Sequence, residues 1–95
     1  MKLDQLGITE RLTTLRKVVE INAAALCRTT KFSANRWSQY ETGDRPLTLA
    51  AAIVLKEKYG VSLDWIYFGE AANLPKRLFD LIEKERSKSK QTAAE

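Results

Sequence analysis

The segment NAAALCRTTKFSANRWSQYETG, residues 22–43, decides how this chain is read. Asn22 suits the N-cap of a short helix through Arg28, with Ala24, Leu26 and Cys27 as its inward candidates. A tight turn over Thr29, Thr30, Lys31 and Phe32 follows, and Ser33 caps a second helix ending near Glu41 or Thr42. Gly43 supplies a left-handed stop, and Arg45-Pro46 forces an extended exit. On the second helix, Ser33, Trp37 and Tyr40 fall at i, i+4 and i+7, so Trp37 and Tyr40 face inward. The other side then presents Asn35, Arg36, Ser38 and Gln39, with Ala34 at the leading turn.

The flanks are helical too. Thr9 suits the N-cap of a first helix to about Glu20, with Leu12, Leu15 and Val19 as its buried stripe and Val18 beside it. Thr48 caps a fourth helix closed by Gly60, whose apolar side is Leu49, Ala52, Ile53 and Leu55. Ser62 and Asp64 open a very short fifth helix with Trp65 and Ile66, stopped by Gly69. Asn73 and Pro75 start a sixth, carrying Leu78, Phe79, Leu81 and Ile82. Beyond Ser87 the chain reads KSKQTAAE, without a large apolar residue, and is expected to be a disordered tail. The expected fold is all-α, five or six short helices around one core.

Composition narrows the function. The 95 residues suffice for one core, not two. There is no His and one Cys, Cys27, which excludes His-dependent triads, His-ligated metal sites and an intramolecular disulfide. No nucleophile or acid–base constellation is evident, so no enzyme, metal or cofactor is expected. Residues 1–10 lack the apolar stretch of a signal peptide, and no apolar run approaches the ~18 residues of a membrane span, so the expected location is cytoplasmic. The net charge is +4, from 16 basic and 12 acidic residues, and residues 1–60 carry all of it. That balance admits an anionic partner.

The polar side of the second helix has chemistry to match. Asn35 and Gln39 lie four apart on one face, and their amides can donate to N7 and accept from N6 of adenine in the major groove. Ala34 is small enough to lie against a thymine methyl. Lys31, Arg36 and Arg45 lie where flanking phosphates could be met. Taken alone, such a face is more often the ordinary solvated side of a helix. Trp37 and Tyr40 read as core, and Cys27 as a small buried hydrophobe. Glu41 and Asp44 would be repelled by phosphate, so the segment is no simple basic patch.

Read together, LRKVVEINAAALCRTTKFSANRWSQYETGDRP and the following GVSLDWIYFG resemble the Cro/cI-type helix-turn-helix proteins, the lambda-repressor-like or XRE family. The likeness covers residues 9–69, and SQYETGDRP and GVSLDWIYFG are its most specific pieces. It implies a five-helix DNA-binding domain over 9–69, and the residues beyond it read as a helical extension over 70–88 and the tail over 89–95. It implies base reading by Ala34, Asn35 and Gln39. Positioning on the backbone falls to Asn22, Ala23, Lys31, Ser33, Arg36, Ser38, Thr42 and Arg45. Arg16 and Glu41 occupy positions that form a buried ion pair in several family members. The chain departs from the family at Lys31, where Gly is usual in the turn, and at Ala23, where Gln often touches a phosphate.

The function these readings imply is sequence-specific binding of duplex DNA as a transcriptional regulator, in the sense of a repressor. A homodimer through Leu78, Phe79, Leu81 and Ile82 is expected, because one short helix reads too few base pairs. The alternative is a protein-interaction module on the same fold, such as an antitoxin or phage accessory protein. In that case the sixth helix is the contact surface. No membrane or small-molecule partner is expected.

Overall fold

Helix ends organise this molecule. The computed structural model describes residues 5–20 and 22–94, and among these it contains six helices and no strand. They are α1 (Gln5–Val19), α2 (Ala23–Thr30), α3 (Ala34–Thr42), α4 (Leu49–Tyr59), α5 (Leu63–Phe68) and α6 (Lys76–Ala94). The all-α class expected from the pattern is the class observed.

The four middle helices start alike. Asn22, Ser33, Thr48 and Ser62 hold extended backbone, and their side-chain oxygens accept from the N–H groups of Ala25, Arg36, Ala51 and Trp65. Each such cap satisfies a donor left over at a helix start and contributes about 1 kcal/mol. The same four helices end on a left-handed residue, at Lys31, Gly43, Gly60 and Gly69. Lys31 is the exception, the one non-glycine at positive φ among the described residues.

Helix α1 lies at the centre, packed against α2, α3, α5 and α6. It begins at Gln5, so Thr9 is not its N-cap; the extra turn places Ile8, 2% exposed, in the core beside Leu12 and Leu15. Helix α2 outlasts its expected end at Arg28, and the turn narrows to residues 31–33. Thr30 manages that ending: its buried hydroxyl donates to the Leu26 carbonyl (2.9 Å) and accepts from the Phe32 N–H (3.3 Å). Ala24 is exposed rather than inward.

Helix α4 also turns differently from expectation. Ala51, Ala52 and Leu55 are buried, while Leu49 (59%) and Ile53 (39%) are exposed. Helix α4 packs against both α2 and α5. Two alanines at the contact let helix backbones approach closely, which a face led by Leu and Ile would prevent. On α6, Leu78 and Ile82 are buried against the core, whereas Phe79 and Leu81 are exposed. The backbone of α6 continues past Ser87 to Ala94; of the tail expected over 89–95, Glu95 lies outside the described residues. Among the described residues no helix is long and apolar enough to cross a membrane.

One long-range contact fastens the C-terminal half to α1. Arg11 donates from Nε to the Ile66 carbonyl (2.8 Å) and from a terminal nitrogen to that of Tyr67 (3.2 Å). These are carbonyls of the last turn of α5, which the helix itself leaves unsatisfied. Gly69 lets the guanidinium approach, since a Cβ there would stand 3.1 Å from it.

Candidate nucleic-acid interface

Helix α3 is held from its inner side. Trp37 and Tyr40 are each 1% exposed, and both meet Phe32, the buried residue of the preceding turn. The Phe32 ring stacks on Trp37 at 6.2 Å and meets Tyr40 edge-on at 6.0 Å. An apolar side chain inside a turn is the signal for this anchor, and the sequence reading passed over it. Aromatic pairs of this kind contribute about 0.5–1.5 kcal/mol beyond the area they bury. They fix how α3 is rotated, and so which residues it turns outward.

The C-terminal turn of α3 is tied to α1. Arg16 Nε donates to Glu41 Oε1 at 2.8 Å. The two side chains are 23% and 15% exposed, so the pair implied by the resemblance is half-buried rather than buried. A second tie was not legible: one carboxylate oxygen of Glu20 accepts from the hydroxyls of Thr29 on α2 and Tyr59 on α4, each at 3.1 Å. Burial pushes the Tyr59 phenol up to about 12; the Thr29 hydroxyl opposes the shift and the Glu20 carboxylate reinforces it. Cys27, half-buried, lies 3.8 Å from the Ser33 carbonyl, and burial, then Glu41, raises its thiol above the ordinary value.

The outer side of α3 carries Ala34, Asn35, Ser38 and Thr42 exposed, with Gln39 half-buried beside them. The carbonyl oxygen of Gln39 is buried without a hydrogen-bond donor, as is the indole N–H of Trp37. Thr42 donates weakly to the Gln39 backbone carbonyl at 3.4 Å. Around this face stand Asn22 and Ser33, both exposed and both using their side-chain oxygens as helix caps. Ala23 is half-buried at the start of α2 and offers only backbone there.

The cations of the segment divide into two kinds. Lys31 and Arg45 are exposed, one before α3 and one after it, and Arg28 is exposed on α2. Lys31 reaches this position through a strained backbone, at φ 69°. Arg36, expected among the phosphate contacts, is folded back instead. Its Nε donates to the Tyr40 hydroxyl at 2.7 Å. Its guanidinium carbon lies 5.1 Å from the centre of the Phe32 ring and 5.5 Å from that of Tyr40. Sequence spacing placed Arg36 outward; the Phe32 ring, arriving from the turn, draws it in.

The chain matches no family model, no curated protein and no solved structure. Amides, hydroxyls and one methyl group are offered on a narrow helix, with free cations at both ends. That combination suits hydrogen bonding to base edges, flanked by attraction to phosphate.

Proposed function

We propose that this protein binds duplex DNA sequence-specifically as a transcriptional regulator of the Cro/cI type, inserting α3 into the major groove. The arrangement of α1 to α5 is read as lambda-repressor-like on the same ground as the resemblance over residues 9–69. One observation carries the proposal. The outward side of α3 is polar, uncharged and exposed at Asn35 and Ser38, with Gln39 half-buried beside them, while exposed Lys31 and Arg45 bracket it. A helix in a groove requires base-reading groups in the middle and phosphate contacts at the margins. Lys31, Ser33, Thr42 and Arg45 are assigned to the margins, and Ala34, Asn35 and Gln39 to the bases.

The DNA-bound form is a two-fold dimer, with α3 helices about 34 Å apart on successive major grooves. Of the four residues expected at the dimer contact, Phe79 and Leu81 are exposed and available, whereas Leu78 and Ile82 serve the protomer's own core. The same exposed pair favours a second reading, in which α6 recruits a protein partner and DNA is not bound.

Titration of a labelled duplex library at increasing salt separates the two. Groove binding gives a log–log slope of about 0.9 per phosphate neutralised. Replacing Asn35 by Ala then lowers discrimination at one base pair by about 1–3 kcal/mol, with stability unchanged within about 0.5 kcal/mol, as at other exposed sites. Absence of binding at low salt overturns the DNA reading.

A further inference from the structure

The geometry points to an operator whose α3-contacted base pairs are A·T, with adenine specified by Asn35 and Gln39 and thymine by Ala34. This inference rests on the DNA reading above and adds to it the class of base pair that is read.

Guanine is normally selected by a guanidinium or ammonium group, because its major-groove edge shows two acceptors, N7 and O6. Helix α3 contains one cation, Arg36, and it is already engaged. Its Nε is committed to the Tyr40 hydroxyl at 2.7 Å and its plane lies over the rings of Phe32 and Tyr40. Phe32 and Tyr40 are 7% and 1% exposed, so the inner wall of this seat is core, with Arg36 itself half-buried against it. This seat draws the one guanidinium of α3 back toward Phe32 and Tyr40, away from exposed Asn35 and Ser38.

Gln39 supplies the complementary observation. Its carbonyl oxygen is buried with no donor in the free protein. Turned outward, the amide meets its full hydrogen-bonding capacity on adenine, where N6–H donates to that oxygen and N7 accepts from the amide nitrogen. Against guanine the same oxygen would face O6 or N7, both acceptors, and remain unpaired. Asn35, exposed on the same face, follows the same rule. Ala34 offers only a methyl group, which pairs with the thymine methyl and has nothing to give to cytosine.

Selection from random duplex DNA with the full chain, followed by base substitution in the selected site, tests this. Each half-site is expected to show adjacent A·T pairs as its most sharply specified positions. Replacing the specified adenines with 7-deazaadenine, which removes N7, weakens binding about tenfold per contact. Replacing the specified thymine with uracil, which removes the methyl, weakens it about fourfold. Selection of guanine at the sharpest positions overturns the inference while the DNA reading stands. So does an A·T preference indifferent to both analogues, which marks recognition of groove shape. Failure to enrich any sequence, with no binding at low salt, removes the DNA reading and this inference together.

Discussion

Helices α3 and α6 both expose residues that the fold does not use, but the residues differ in kind. Helix α3 buries two aromatics and turns out Asn35, Ser38 and Thr42. Helix α6 buries Leu78 and Ile82 and turns out Phe79 and Leu81. The first surface gains nothing from leaving water unless it meets hydrogen-bonding partners; the second gains simply by being covered. One protein thus offers a directional surface and a non-directional one, the pairing that reading a groove and self-association respectively require.

Perturbing the two helices should separate the roles. The largest effect is expected at the buried side of α6, where Ile82→Ala should destabilise by about 2–5 kcal/mol in urea unfolding. An effect below about 1 kcal/mol would mean that α6 is a detachable arm rather than a wall of the core. Next comes the tie that orients α3. Glu41→Gln leaves the half-buried Arg16 without its carboxylate and should cost about 2 kcal/mol, between the values for buried and for exposed pairs. It should also loosen binding at every operator position alike, since orientation and not one base contact is lost.

A smaller effect of opposite sign is expected at the turn before α3. Glycine occupies the left-handed stop of α3, α4 and α5, but α2 ends on Lys31 at φ 69°. Lys31→Gly should relieve strain and stabilise the fold by about 1 kcal/mol. If Lys31 meets a phosphate, the same change should weaken DNA binding and lower the salt slope by about 0.9. A more stable variant with unaltered affinity would leave Lys31 with no role on DNA.

The last effect is a pH dependence, absent at neutral pH and visible only in alkali. The Tyr59 phenol is pushed up to about 12 in the folded protein, above the ordinary tyrosine value of about 10. The folded state therefore holds this proton more tightly than the unfolded state. Its stabilisation is full below about pH 10 and is lost as pH rises toward 12. Absorbance titration of tyrosinate against a Tyr59→Phe variant measures the shift, and a Tyr59 that titrates with the free amino acid contradicts the burial of its hydroxyl, which Glu20 reinforces.

Much of this architecture was legible because helix ends are local. Asn22, Ser33, Thr48 and Ser62 each cap the helix expected of them, and Gly43, Gly60 and Gly69 close the expected ends. Errors arose where a distant element decides. Thr9 has the chemistry of a cap, but burying Ile8 extends α1 beyond it. Leu49 and Ile53 have the right spacing for a core stripe, but α4 packs through alanines. At the candidate site, the exposure of Asn35 and Ser38 followed from periodicity alone. The seat of Arg36 did not, because the ring of Phe32 reaches it across a turn. Nor did the Arg11 contacts with α5, which span more than half the chain.

The central claim is that the outward face of α3, and not the apolar strip of α6, meets the ligand. Backbone amide NMR during titration with a selected duplex tests it residue by residue. The account predicts shifts concentrated over residues 22–45, strongest at Ala34, Asn35, Ser38 and Gln39, with any second set at Phe79 and Leu81 tracking dimer formation. Shifts confined to α6, or none at low salt, would contradict it.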